Sequence, residues 1–261
     1  MRPLDMVLLG SRILQFPRFN RVEYFTSIGS TNAVAVERLY HNDCFGISFV
    51  TESQTEGRGR AGRSWVSPPG AGLLASTILP SELPPKALPA VGFWAALAVR
   101  AAVQAQTGLR LELKWPNDLL LAGLKCVGIL AQGRARAQSS RVVVGVGVNV
   151  NRPEAVPAKI GASAAWLSDP QRAPVDRTAL LEKLLARYEQ TYDGLLSAPK
   201  RIIDEWAAAA ALTSKQIVVR ALDGSVLHEG IVRALDDEGS LILQTAAGER
   251  TVRLGDVEVL S

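Results

Sequence analysis

The chain has 261 residues, 48% of them hydrophobic, and a formal net charge of +4; it can fill one large core plus a small appendage, and its weak positive charge suits an anionic ligand or acidic partner without arguing for DNA. No run reaches about 18 uninterrupted apolar residues, and no basic stretch, apolar run and cleavage site follow one another at the N-terminus, which argues against a membrane span or secretion and for a cytoplasmic protein. Two cysteines, Cys44 and Cys126, are too few for a disulfide framework and read as reduced, half-buried side chains.

In chain order, residues 22–25 read as a short strand, followed by a polar turn and a helix from Ser30 or Thr31, either a natural N-cap, to about Tyr40. Residues 46–51 and 73–79 read as strands. The strongest helix signal is 88–107, alanine-rich, with Pro84, Pro85 and Pro89 at its start and Gly108 as its stop. Four strand-like runs follow at 111–114, 118–121, 125–132 and 141–149, with Ala122-Gly123 suggesting a hairpin. Residues 177–196 and 200–211 read as two more helices. Near Thr213 the pattern changes to five short strands, at 216–221, 230–235, 240–245, 250–254 and 257–260, joined by turn pairs such as Asp223-Gly224 and Glu238-Gly239. They imply a small β-barrel at 214–261 that docks on a larger domain at 1–213, because so short a segment carries little core of its own.

Four segments carry chemical information. Gly57-Arg58-Gly59-Arg60-Ala61-Gly62-Arg63 places three glycines and three arginines in seven residues between two strands. Glycine permits positive φ and close backbone approach, and guanidinium forks grip phosphate or carboxylate; the plainer reading is a solvated basic linker, against which the flanking strands speak. In Lys114-Trp115-Pro116-Asn117-Asp118, proline keeps Trp115 extended and the Asn-Asp pair aims polar tips at one place, although an Asx turn with a core tryptophan fits equally. Lys125 opens an apolar strand near Gly128, which suits a pocket cation beside room for a ligand or, read alone, a solvated strand-edge lysine. The run Val142–Asn149 has glycines at 145 and 147 that mark close approach of a helix or a flat ligand; it lacks the third glycine and following helix of a dinucleotide site. His41 and His228 are too isolated for a triad or metal site.

Taken together and in order, Ser30-Thr31-Asn32, Gln54 with GRGRAGRSW, KWPNDL, LKCVGIL and GVGVNVN resemble the biotin protein ligases, the biotin–acetyl-CoA-carboxylase ligase family, over nearly the whole chain from about Val22. The resemblance implies an α+β catalytic domain related to class II aminoacyl-tRNA synthetases, with a mixed sheet and flanking helices, and a C-terminal SH3-like β-barrel. Larger members of the family carry an N-terminal winged-helix domain; about twenty residues precede the first strand here, so the expectation is a ligase without specific DNA binding or repressor function. The implied reaction consumes ATP and biotin, forms biotinyl-5′-adenylate, and transfers biotin to a lysine of a biotin carboxyl carrier protein. Mg²⁺ is expected with ATP, with no dedicated protein cage legible; the enzyme is expected to be a monomer or homodimer, away from membranes.

By the same resemblance, Ser30, Thr31, Asn32 and Gln54 bind the ureido end of biotin, Gly57 and Arg58 its carboxylate region, and Gly128 and Ile129 line its pocket. Lys125 contacts the biotin carboxylate and α-phosphate. Arg58, Arg60, Arg63 and Trp65 belong to a loop closing over the adenylate, Asn117 lies near the phosphates, Asp118 orients a cation or the incoming lysine, and Gly145, Gly147 and Asn149 form part of the nucleotide wall. Lys125, Arg58, Arg60 and Asp118 are the implied catalytic set. Two rivals remain: a lipoate ligase, whose different glycine-rich loop with a histidine-aspartate pair is missing here, and a non-catalytic nucleic-acid module, which leaves KWPNDL and Lys125 unexplained.

Overall fold

The computed structural model describes residues 2–135, 138–158, 160, 163–221 and 223–260. Its first layer is a seven-stranded mixed sheet of β1 (Arg21–Phe25), β2 (Ile47–Thr51), β3 (Gly72–Ile78), β4 (Glu112–Lys114), β5 (Asp118–Leu121), β6 (Leu124–Ala135) and β7 (Ser140–Asn149), in the order β1-β2-β3-β7-β6-β5-β4. Only β1 and β2 pair in parallel. A parallel pair needs a crossover, and α2 (Thr31–Arg38) supplies it. The expected Ala122-Gly123 hairpin between β5 and β6 is present, with φ of 51° and 75° at the two residues, the left-handed pair that a two-residue turn requires.

All ten residues of β7 are buried, so its sequence runs apolar throughout rather than alternating. The alternation shows instead in what each face touches. Val142, Val144, Val146 and Val148 join the main core, while Val143, on the other face, packs with Ala35 and Leu39 on or just beyond α2. Gly145, Gly147 and Asn149 continue that second face at a spacing of two; the first turn of α2 reaches Gly145 through Asn32, and the sheet beyond it is free of the helix.

The main core is closed by α3 (Val91–Thr107), α5 (Arg177–Ser197) and α6 (Pro199–Ala210). The stretch expected to be helical from residue 88 begins as a 3₁₀ turn, Pro85–Ala90, and becomes α-helical at Val91; it stops at Gly108 in the left-handed conformation, φ 74°. Pro85–Thr107 is long and apolar enough to cross a membrane by length and composition. Its large side chains are nonetheless buried inside the fold: Trp94 stacks on Tyr188 of α5 at 4.4 Å, and Phe93 meets the Trp206 ring of α6 edge-on at 4.9 Å.

An N-terminal helix, α1 (Met6–Ile13), was not foreseen. Asp5 caps it by accepting the Leu8 amide, and Leu9 and Ile13 sink into the core. The residues ahead of it are tied down by a buried ion pair: Glu52 Oε1 accepts the Leu4 amide, while Glu52 Oε2 lies 2.7 Å from Arg177 Nη1. A short helix, α4 (Ser168–Gln171), completes the helical set among the described residues.

The C-terminal segment forms a five-stranded antiparallel sheet of β8 (Gln216–Arg220), β9 (Val226–Leu235), β10 (Leu241–Thr245), β11 (Gly248–Val252) and β12 (Asp256–Val259), in the order β11-β10-β9-β8-β12. Strand β9 begins four residues before the expected start. Docking onto the larger layer runs through the KWPND segment: the buried Trp115 indole donates to Gly239 O at 2.9 Å. Gly239, φ 76°, lies so close to Phe93 that a Cβ would meet its ring at 2.2 Å. Trp115 is therefore both core filling and the pin between the two sheets.

Candidate functional site

The uncovered half of the second sheet face is the floor of a narrow cleft of about 100 Å³. Its residues come from adjacent strands in register: Gly147 pairs with Leu74 on one side and Gly128 on the other, and Gly145 pairs with Ser76 and Leu130. Three of these six positions are glycine, which makes the floor flat. The Trp65 indole lies on it, because a Cβ at Gly128 or Gly147 would come within 2.7 or 2.5 Å of that ring. The buried indole nitrogen of Trp65 has no hydrogen-bond partner among the described residues.

One end of the cleft is polar and uncharged. Ser30 caps α2, which sets the following residues facing strand β3. Gln54 Oε1 accepts from the Thr31 amide at 2.8 Å and from Thr31 Oγ1 at 3.0 Å. Ser76 Oγ lies 2.8 Å from Thr31 Oγ1 and 2.7 Å from Asn32 Oδ1, and Asn32 Nδ2 donates to Gln132 Oε1 at 2.7 Å. Gly145 is required at this point, since a Cβ there would sit 2.1 Å from Asn32 Oδ1. Of the two readings of the β7 glycines, close approach of a helix holds at Gly145, which admits Asn32, whereas the flat neighbour at Gly147 is the Trp65 indole of this chain.

The roof is the Arg/Gly segment, folded as a tight hairpin in which the Trp65 amide donates to Gly57 O and the Gly59 amide to Arg63 O. Its glycines work differently from one another. Only Gly62 has positive φ, 76°; the preceding left-handed position is Ala61, φ 53°. Gly57 is needed for space, as a Cβ would lie 2.2 Å from Trp65 O. Positive φ and close backbone approach, the two uses expected of glycine in this loop, are thus divided between Gly62 and Gly57.

The other end of the cleft is cationic. Arg58, Arg60, Arg63 and Lys125 all line it. Arg60 Nη1 donates to Asn117 Oδ1 at 3.0 Å, and Asn117 in turn is held by Nδ2 donating to Ile129 O. Burial and, secondarily, the neighbouring Arg63 lower the Arg60 pKa from its ordinary value, which a guanidinium tolerates without losing its charge. Lys125 Nζ lies 2.7 Å from Asp118 Oδ1 and 5.7 Å from the Trp65 ring centre; the ion pair is close, but its angles fall short of a hydrogen bond. Arg63 forks onto Asp256 at 2.9 and 3.3 Å. No carboxylate among the described residues lies within ion-pair distance of Arg58.

Of the residues singled out in the sequence, Ser30, Thr31, Asn32, Gln54, Arg58, Arg60, Arg63, Trp65, Asn117, Lys125, Gly128, Ile129, Gly145 and Gly147 surround this one cleft. Three stand behind it. Gly57 is buried at the hairpin base, Asp118 supports Lys125, and Asn149 is buried with Nδ2 directed at Lys125 O, 3.4 Å away. Ser76, Leu74, Leu130 and Gln132 belong to the site or its network and were missed; β3 is buried on both faces, so no alternation marked Ser76. Asp256, 193 residues from Arg63, had no local signal.

Comparison with known proteins gives a consistent picture. Residues 24–149 match the family model described as biotin/lipoate A/B protein ligase family, and residues 215–260 match the biotin protein ligase C terminal domain. The chain is 32% identical over 241 residues to the bifunctional ligase/repressor BirA of Bacillus spizizenii, covering 90% of this chain and 73% of that one. It is 31% identical over 248 residues to the biotin–acetyl-CoA-carboxylase ligase of Mycobacterium tuberculosis, covering 92% and 89%. The structure of the biotin protein ligase from Aquifex aeolicus in complex with biotin and ATP superposes with a TM-score of 0.75 at 24% identity, covering 93% of this chain and 99% of that one.

Proposed function

The chain belongs to the biotin/lipoate A/B protein ligase family, and from that membership we propose that it is an ATP-dependent biotin protein ligase acting on a lysine of a biotin carboxyl carrier protein. A carboxylate oxygen of biotin attacks the α-phosphorus of ATP; the bond to the β-phosphate breaks and pyrophosphate leaves, giving biotinyl-5′-adenylate. The ε-amine of the carrier lysine then attacks the acyl carbon, AMP departs, and the amine proton is released as the amide forms. Both steps move negative charge without a protein nucleophile, so fixed cations are the fitting devices.

The observation that carries this reading is the polarity of the cleft. Thr31, Asn32, Gln54 and Ser76 gather uncharged donors and acceptors at one end, and Lys125 and Arg60 stand at the other with a flat glycine floor between. A ureido ring offers donors and a carbonyl acceptor to the first end, while its carboxylate meets the cations. The dithiolane of lipoate offers no such groups and would leave that network unanswered, a mismatch that discriminates strongly. In this reading Lys125 holds charge between carboxylate and α-phosphate, Arg60 and Arg58 hold phosphate oxygens, and Asp118 sets Lys125.

We also propose a division at 1–213 and 214–261, where the mixed sheet gives way to the antiparallel one, with a class II synthetase-like catalytic layer and an SH3-like C-terminal unit. Among the described residues no group of three or more His, Cys, Asp and Glu could hold a metal ion, and Asp118 is engaged by Lys125. Mg²⁺ would therefore come to this cleft with the ATP phosphates, as is usual for this ion. Purified protein with biotin, ATP and a magnesium salt should release pyrophosphate and label one lysine of a carrier domain; labelling with lipoate but not with biotin would overturn the proposal.

A further inference from the structure

The hairpin over the cleft is gripped on both sides of its left-handed apex, Ala61-Gly62. Before the apex, Arg60 reaches Asn117 in the turn between β4 and β5. After it, Arg63 reaches across to the C-terminal sheet, where Nη1 donates to Asp256 Oδ2 at 2.9 Å and Nη2 to Oδ1 at 3.3 Å. We infer that Asp256 is a positioning residue: through Arg63 it latches the arginine hairpin over the cleft, so that the C-terminal sheet sets the closure of the site.

Three features make Asp256 a firm support. It opens β12 and pairs with Arg220 of β8. Gly255 ahead of it has φ 140°, and a Cβ there would lie 2.4 Å from Val219 Cγ1, so the chain enters β12 pressed against β8. The sheet that carries it is itself pinned by Trp115 to Gly239. The fork geometry matters because a two-point guanidinium–carboxylate contact fixes orientation as well as distance. Asp256 also offsets the repulsion between Arg60 and Arg63, which share the cleft. The opposite arrangement, in which Asp256 competes with an anionic ligand for Arg63, makes the opposite prediction.

The contact itself is independent of the ligase proposal; only its catalytic consequence rests on it. The test uses the full chain and two readouts. First, limited trypsin digestion followed by mass spectrometry measures cleavage after Arg58 and Arg60. Asp256→Asn should speed that cleavage by a few-fold, the scale of an exposed ion pair, and added salt should bring wild type toward the variant. Asp256→Glu should retain protection, and the exchange Arg63→Asp with Asp256→Arg should restore it. Second, biotin labelling of an unrelated bystander protein reads escape of activated biotin: Asp256→Asn should raise it while carrier labelling continues, and the exchanged pair, having lost a cleft arginine, should not recover carrier labelling. Unchanged cleavage in Asp256→Asn, or tighter ATP binding with unchanged protection, would overturn the latch. Absence of biotinylation in every variant, with the cleavage pattern as described, would instead overturn the ligase assignment and leave the latch standing.

Discussion

Replacing Gly145 by alanine tests the polar end of the cleft at its tightest point. The added methyl would lie 2.1 Å from Asn32 Oδ1 and 2.9 Å from Asn32 Cγ. Asn32 cannot retreat without breaking its bonds to Ser76 Oγ and Gln132 Oε1, both 2.7 Å. Overpacking of this kind costs about 1–3 kcal/mol, which for a domain of this size lowers Tm by roughly 2–12 °C. If Asn32 swings away instead, each lost hydrogen bond is worth about 1 kcal/mol, and biotin affinity should fall on the order of tenfold or more. The control is Gly133→Ala in the same hairpin, where the nearest atom stands at an ordinary 3.5 Å. Thermal unfolding and biotin titration calorimetry on both variants read the two effects. A Gly145→Ala protein that keeps wild-type Tm and biotin affinity would show that Asn32 is not held where the network puts it, and the assignment of this end to ligand recognition would fail with it.

Two further expectations concern single groups. Lys125→Ala removes the ammonium beside Asp118 and should cost about 2–4 kcal/mol of transition-state stabilisation, by analogy with loss of a preorganised oxyanion donor, so pyrophosphate release should slow by roughly a hundredfold or more; wild-type rates would make Lys125 a structural residue. Burial pushes the Cys126 thiol up to about 12 from an ordinary value of 9.0. The folded chain then keeps a proton that the unfolded chain loses, so this contribution to stability is intact below pH 9 and is lost as pH rises through about 12. Urea unfolding at a series of alkaline pH values should show a steeper decline for wild type than for Cys126→Ala, and equal slopes would contradict that account.

The legible part of this molecule is the part written in local rules. Ser30 as N-cap, Gly108 as a left-handed stop and Ala122-Gly123 as a hairpin pair appear where their chemistry puts them. Helix α1 escaped notice even though Asp5 is an ordinary capping residue, because eight residues give little periodicity to read. The Arg/Gly hairpin was legible as a ligand loop, but not which residue does what in its backbone: the structure uses one glycine for positive φ, another for a close carbonyl contact, and puts Ala61 in the left-handed region. Ser76 and Gln132 were invisible for a different reason. The strand that carries Ser76 is buried on both faces and shows no period, and the role of both residues exists only once β3, β7 and β6 are in register beside α2.

That distinction explains why the cleft reads well as a list of residues and poorly as a mechanism. Lys125 and Asp118 are seven residues apart in sequence, yet their 2.7 Å approach depends on the register of β5 and β6, in which Asp118 faces Gly128. Arg60 finds Asn117 and Arg63 finds Asp256 from opposite sides of one apex, so each cation is held by a different layer of the fold. A cation on a mobile loop would lose part of its effect to reorganisation when charge develops, whereas one fixed beforehand does not. Among the described residues, the C-terminal sheet contributes none to the cleft lining. Its place in the chemistry follows instead from what it holds still.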